Sequence, residues 1–350
     1  MILKPFHFNS KTYWVLFHKY NVGNEMVQKM NFIDLCAGVG AGRLGLEANG
    51  LQCVGYSEID KDAEHTYRTL HGEEEALGDL TQIKTESLPH FDFLIGGFPC
   101  QTFSIVGKRC GLQDEDRGQI IYHIARILKE SSNSFFILEN VKGLVNHDKG
   151  RTFEIVLNLL KDLDYVVHSS ILNSLDFGVP QMRERIYLVG IKTELVKKGK
   201  SFSFPEKIER DYSIADFLSD NRDEFIFNSS NKTYETFDRY LKNKYNQGKY
   251  DLVELLKEDY IVLDTRQSDL RIYKQKVPTL RRGRHGILYV KNGQLRKLSG
   301  YEAFLLQGFN KNLALKASKK QANGKLLAQA GNAMTINVIE AITKELLKTI

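Results

Sequence analysis

Residues 31–50 read NFIDLCAGVGAGRLGLEANG, and the architecture turns on them. NFIDL (31–35) is an apolar run of strand length, too short to bury a helix face. CAGVGAG (36–42) follows with three glycines in seven positions, which lets main-chain N–H groups approach a ligand closely. Residues 43–49 then carry a helical pattern, with Gly50 as the expected C-terminal cap. A strand that turns over a glycine loop into a helix predicts the opening unit of a parallel α/β sheet.

The same unit recurs downstream. CVGY (53–56) precedes a helix through the sixties, and ALGD (76–79) reads as a short third run. FDFLIGG (91–97) precedes a long loop and a helix over 118–130, and FFILEN (135–140) precedes a helix over 150–162. YVVHSSIL (165–172) and RIYLVGI (185–191) complete the set. Strands alternating with helices predict a mainly parallel, doubly wound sheet covered on both faces. Residues 196–290 break the rhythm, and 295–309 and 335–347 restore it. The expected organisation is an N-terminal extension (1–30) without an assigned role, a large domain (31–194 plus 325–350) and a smaller, irregular one (195–324).

Composition narrows the class. At about 150 residues per domain, 350 residues with 42% apolar and 26% charged content describe a globular chain of two domains. No apolar run approaches the roughly 18 residues of a membrane span, and the first residues lack a signal peptide's apolar stretch. A cytoplasmic protein without membrane contact is expected. The net charge of +6 mildly favours a polyanionic partner. Cys36, Cys53, Cys100 and Cys110 form no CxxC pair, so neither a disulfide framework nor a structural metal is expected.

In open α/β sheets ligands bind beyond the carboxyl ends of the strands. Asp34, the glycine loop, Glu58, Asp79, the triplet FPC (98–100) and Glu139-Asn140 all fall there. Glu58 lies eighteen positions beyond Gly40, close to the offset of about twenty residues typical of a ribose-hydroxyl acceptor. The third glycine of a dinucleotide GxGxxG would fall at Arg43. That disfavours a pyrophosphate cradle, and with it a dehydrogenase, and favours a ribose-bearing cofactor without phosphates, S-adenosylmethionine. Asp79 is a candidate for its adenine amino group. Cys100 follows the rigid Pro99 and is a candidate nucleophile. Arg183 and Arg185, two apart on an extended strand, are expected to point the same way.

With these blocks in order, the chain resembles the bacterial DNA (cytosine-5)-methyltransferases over nearly all of residues 31–350. The matching segments are DLCAGVG (34–40), SEID (57–60), GDL (78–80), GGFPCQTFS (96–104), DRG (116–118), LENVKGL (138–144), FGVPQMRERIYLVG (177–190), VPTL (277–280) and GNAMTINV (331–338). The resemblance implies a Rossmann-like S-adenosylmethionine-dependent fold with a small target-recognition domain, the recognition segment lying within 195–275. It makes Cys100 the nucleophile on carbon 6 of a flipped cytosine. Glu139 becomes the contact to ring nitrogen 3, and Arg185 with Arg183 the groups that hold the base. Cofactor positions carried over are Cys36, Ala37, Gly38, Val39, Gly40, Glu58, Ile59, Asp79, Leu80, Pro99 and Asn332. Gln101, Ser104, Arg281, Arg282 and Arg284 are the expected DNA contacts. The partners implied are double-stranded DNA, bound by a monomer, and a cognate restriction endonuclease acting separately.

Cys36 and Ile59 stand where relatives usually carry aromatic residues against the adenine, and Met334 replaces a usual Val. Two other functions compete. A transfer-RNA cytosine methylase typically carries Cys-Phe-Thr in its small domain, but no cysteine follows Cys110. An inactive DNA-binding homologue has no need of a thiol beside a carboxylate.

Overall fold

The computed structural model describes residues 30–72, 76–98, 120–196, 201–208 and 212–349. Its central sheet is built from β1 (Asn31–Leu35), β2 (Gln52–Ser57), β3 (Phe93–Gly97), β4 (Phe135–Val141), β5 (Tyr165–Asn173) and β7 (Glu184–Lys192), in the order β2-β1-β3-β4-β7-β5. A two-residue strand, β6 (Gln181–Met182), precedes β7. Strands β2, β1, β3 and β4 run parallel, and β7 is antiparallel to both of its neighbours, β4 and β5.

Period-two alternation places these residues. Phe32, Phe93, Ile95, Phe135, Ile137, Tyr187 and Val189 belong to one core, together with Leu46 and the apolar stripe of the C-terminal helix. Ile33, Leu35, Leu94, Phe136, Leu138, Ile186 and Leu188 belong to a second core on the opposite face. Each strand therefore buries both faces, as a sheet sandwiched between helices must. On the first face lie α1 (Ala41–Glu47) and α2 (Lys61–His71), and on the second α3 (Ile120–Glu130) and α4 (Arg151–Lys161). Helix α2 starts on Asp60, whose side chain accepts from Asp62 N and Ala63 N, a normal N-cap.

Two helices, α5 (Tyr234–Leu241) and α6 (Leu252–Leu255), introduce the smaller unit, a four-stranded antiparallel sheet. It comprises β8 (Ile261–Asp264), β9 (Arg271–Lys274), β11 (Ile287–Lys291) and β12 (Gln294–Lys297), ordered β12-β11-β8-β9. One side has its own core around Phe227, Phe237, Leu263 and Val290. The other side sends Val262, Ile287 and Tyr289 into the first core of the large sheet. A short strand, β10 (Val277–Pro278), pairs with β6 and stitches the units together. The chain closes with α7 (Gly300–Leu305), α8 (Lys311–Lys320), α9 (Asn323–Asn332) and α10 (Ile336–Leu347). Glu302 is fully buried at the start of α7. It accepts from Ser299 N (2.9 Å), Tyr289 OH (2.7 Å) and Asp220 N (3.0 Å), joining three separate segments of the 195–324 region at one carboxylate.

Three expectations change. The segment 76–79 is not a strand. Leu77 N reaches Tyr56 O, but the chain leaves the sheet at once because Asp79 caps a short 3-10 turn. The smaller unit is regular, not irregular: its strands are four or five residues long and end in charged side chains, and the apolar runs in two of them (IVL at 261–263, ILYV at 287–290) are not followed by helix-length segments that would mark a repeating unit. Arg183 breaks the extended strand foreseen over Arg183–Arg185, and the two guanidinium groups diverge.

Gly190 sits at the middle of β7, where an added Cβ would lie 2.0 Å from the Phe136 ring. Gly190→Ala is expected to cost about 1–3 kcal/mol of stability as an overpacked core, read by urea denaturation. Combined with Phe136→Leu, the total loss should fall below the sum of the two, since they compete for one volume.

Candidate active site

The loop after β1 is held open by backbone conformation. Cys36, Gly38 and Gly40 all have positive φ (53°, 58° and 79°). At Gly40 a Cβ would fall 2.1 Å from His71 Nε2, so only glycine fits. At Gly38 nothing lies within 4 Å of that position, leaving the main chain bare to an incoming group. Gly38 N donates to Glu58 Oε2 (2.7 Å), while Ile59 N and Asp60 N donate to Oε1 (2.8 Å each). The carboxylate at the tip of β2 is thus pinned against the loop, and Oε2, with a single hydrogen bond, keeps further acceptor capacity for a hydroxyl.

The other predicted cofactor positions among the described residues differ in exposure. Ile59 is 70% exposed on the rim, and Ala37, Val39 and Leu80 are buried behind it. Asp79 is exposed and accepts from Thr81 N and Thr81 Oγ1 on a single oxygen, Oδ1. Asn332 is exposed at the end of α9. Burial pushes the Cys36 thiol up to about 12, so at neutral pH it packs as a small apolar group. A carboxylate for ribose, a second acceptor, apolar walls and a bare glycine suit an uncharged nucleoside. The residues therefore fit S-adenosylmethionine.

Beneath the loop, Asp34 is 1% exposed and neither carboxylate oxygen makes a hydrogen bond of normal geometry among the described residues. Burial pushes it up to about 8, against the pull of the Arg43 backbone and guanidinium. Arg43 itself donates to Glu47 (2.7 Å) and to the Tyr67 hydroxyl (3.2 Å).

The second half of the site stands at the ends of β3, β4 and β7. Glu139 and Tyr187 are directly paired across β4 and β7, and Val141 faces Arg185. Glu139 and Arg185 are therefore diagonal neighbours on one face, within reach of long side chains. Arg185 Nε lies 3.0 Å from Glu139 Oε1, with only 12% and 9% of the two side chains exposed. That approach lacks hydrogen-bond geometry, and Oε1 accepts no hydrogen bond among the described residues. Glu139 Oε2 borders Gly97, where a Cβ would lie 3.7 Å away. Asn140 Nδ2 donates to Phe98 O (2.8 Å), and its Oδ1 accepts from Val141 N (2.8 Å). The carbonyl from which the chain continues to Pro99 is thereby fixed. Pro99, Cys100, Gln101 and Ser104 lie outside the described residues.

Arg183 goes elsewhere. It is 2% exposed, and its guanidinium donates to Leu280 O (3.3 Å), Gly331 O (3.2 Å) and Ala333 O (2.7 Å). Burial lowers it to about 9, which leaves it charged at neutral pH. Leu280 leads into a tight hairpin, Arg281-Arg282-Gly283-Arg284, whose three arginines are exposed. Gly331 lets that hairpin approach, since a Cβ there would lie 2.4 Å from Arg282 N.

Sequence reasoning missed Asn140 as the tie to Phe98, the contact of Asp60 with Arg282, and Gly331 as a point of close approach. All three lie in the quoted blocks LENVKGL, SEID and GNAMTINV, but spacing alone does not reveal those contacts.

The family model for the C-5 cytosine-specific DNA methylases matches residues 30–348, and the chain belongs to that family. It is a DNA (cytosine-5)-methyltransferase. It is 36% identical to Type II methyltransferase M1.ScrFI of Lactococcus lactis subsp. cremoris, over 93% of this chain and 80% of that one. It is 35% identical to Type II methyltransferase M.HhaI of Haemophilus parahaemolyticus, over 92% and 95%. Among solved structures, the methyltransferase EhMeth of Entamoeba histolytica aligns with a TM-score of 0.65 at 18% identity, over 92% and 98%. The fold is that of S-adenosylmethionine-dependent methyltransferases. No helix among the described residues is long and apolar enough to cross a membrane.

An acid held near 8 when folded and near 4 when unfolded weakens the fold as pH rises between those values, because the unfolded chain sheds its proton first. Asp34→Asn should therefore be neutral near pH 4 and stabilising at pH 8, by about 1–3 kcal/mol. Urea denaturation at the two pH values measures the difference.

Proposed function

We propose that the protein transfers a methyl group from S-adenosylmethionine to carbon 5 of a cytosine within a short specific sequence of double-stranded DNA, as the protective half of a restriction–modification system. The observation that carries this reading is the buried Glu139–Arg185 pair beside Gly97, at the start of the segment leading to Cys100. A carboxylate and a guanidinium side by side, with carboxylate acceptor capacity left over, match a ring that offers a nitrogen, an amine and a carbonyl oxygen on one edge.

The chemistry requires such groups. Carbon 5 of cytosine is too weakly nucleophilic to take a methyl group unaided. In the proposed sequence, the base is flipped from the duplex, at a cost of a few kcal/mol. The Cys100 thiolate adds to carbon 6 and the ring double bond shifts its electrons toward nitrogen 3, where Glu139 in its protonated form hands over a proton that it takes back when the thiolate later leaves. Arg185 steadies the carbonyl oxygen as charge develops. Bound S-adenosylmethionine supplies an electrophilic methyl on a sulfonium, against which Glu58, Asp79 and the glycine loop hold the nucleoside end. Once carbon 5 carries the methyl, it loses its proton, the ring double bond re-forms and the Cys100 thiolate departs.

In this scheme residues 31–194 and 325–350 bind the cofactor and hold the base, and 195–324 bind DNA, with sequence choice in 195–275. Gln101, Ser104, Arg281, Arg282 and Arg284 contact the duplex, bound by one monomer in the cytoplasm. A separate restriction endonuclease completes the system. Arg183 supports the base pocket from behind, through Leu280, Gly331 and Ala333.

Cys100→Ser is expected to abolish methyl transfer while DNA binding persists, measured with tritiated cofactor and by gel shift. Turnover at the wild-type rate would sink the mechanism. On DNA with 5-fluorocytosine at the target, whose carbon 5 cannot release a proton, the wild-type enzyme should form an adduct stable to denaturing electrophoresis, and Cys100→Ser should not. Bisulfite sequencing of DNA from cells expressing the protein identifies the target sequence. Exchange of residues 195–275 with a relative should transfer that choice.

A further inference from the structure

The three arginines of the 281–284 hairpin are not equivalent. Arg281 and Arg284 form no ion pair among the described residues, whereas Arg282 Nη2 crosses to Asp60 Oδ2 of the large domain at 3.3 Å. The base of the hairpin is rigid, because Arg183 grips Leu280 O and the backbone of Arg281 and Arg282 lies against Gly331. The contact itself faces solvent: the Arg282 side chain is 63% and that of Asp60 40% exposed. Asp60 divides its carboxylate, with Oδ1 capping α2 through Asp62 N and Ala63 N, and Oδ2 taking Arg282. The neighbouring Lys325 is already engaged by Asp62 at 2.5 Å. Asp60 N in turn donates to Glu58 Oε1 (2.8 Å), so this contact adjoins the turn that carries Glu58.

We propose that Arg282 is a phosphate-binding arginine held in reserve by Asp60, and that docking of DNA exchanges this internal carboxylate for a phosphodiester of the duplex. The proposal rests on the reading of the protein as a DNA methyltransferase. An exposed, single-contact ion pair is weak, because water and salt screen it. It suffices to park a long side chain, and it yields to a duplex that presents a row of phosphates and releases a counterion for each one neutralised. The same exchange removes a cation from the turn beside Glu58 as DNA arrives.

A double-mutant cycle tests this on the full-length protein with a fluorescein-labelled, mixed-sequence DNA duplex, followed by anisotropy over a range of salt concentrations. Asp60→Asn keeps a good helix cap and should tighten binding by up to about fivefold, the upper strength of an exposed pair. Arg282→Gln should weaken binding and reduce the slope of log K against log salt by about 0.9, one phosphate contact. With Arg282→Gln already present, Asp60→Asn should produce no tightening. Equal tightening by Asp60→Asn in both backgrounds would mean a general charge effect and would overturn the proposal, as would an unchanged salt slope in Arg282→Gln. A wild-type protein that methylates DNA while the cycle is additive removes the latch alone. Failure of the wild type to bind or methylate DNA removes the underlying reading.

Discussion

A guanidinium sealed from water must find its partners in the protein, and Arg183 finds them in three main-chain carbonyls contributed by segments 97 to 150 residues away. Leaving such a cation unpaired would cost more than most single interactions contribute. The chain therefore has little freedom in how the hairpin 281–284, the loop 331–333 and the start of β7 come together. Those segments carry or adjoin Arg185, Asn332 and the exposed Arg281, Arg282 and Arg284. One buried charge sets the mutual positions of groups that have no direct contact with one another. The network beside it extends the same logic: the Ser174 hydroxyl lies 2.7 Å from Thr335 Oγ1, which reaches Gln307 at 3.0 Å, and Gln181 donates to Leu306 O at 2.8 Å.

The candidate site is built against local stability. Asp34 holds a carboxyl in a dry pocket, Cys36 adopts a left-handed backbone that a side chain disfavours, and Glu139 keeps an oxygen without a hydrogen bond among the described residues. Each departs from what a stable core prefers, and all stand at or just beyond the carboxyl ends of the parallel strands β1 and β4. Groups left short of partners in the free protein are the ones able to meet a cofactor and a base. Beyond the pocket, stability is recovered where no ligand is expected, as in the alternating aliphatic and aromatic layers and the fully satisfied Glu302.

Much was legible in the linear chain because the central sheet advertises itself. The runs NFIDL, FDFLIGG, FFILEN and RIYLVGI are apolar on both faces, glycines mark the turns, and Glu58 and Glu139 stand at strand ends where a parallel sheet exposes them. Those signals are local, a few residues wide, and they lead to the fold and the family. The smaller sheet escaped because its strands are short, flanked by charged residues and joined by turns and hairpins with no helix-length segments between them, so no strand–helix rhythm marks them. The diverging paths of Arg183 and Arg185, the tie from Asn140 to Phe98, and the reach of Arg282 to Asp60 were hidden for a different reason. Each depends on a partner tens to hundreds of residues away, and burial and hydrogen-bond direction arise only once distant segments share a volume. Residue type and spacing dictated which chemistry the chain carries; the closing of its two units on each other dictated which of two neighbouring arginines stands beside Glu139 and which one is buried against main-chain carbonyls.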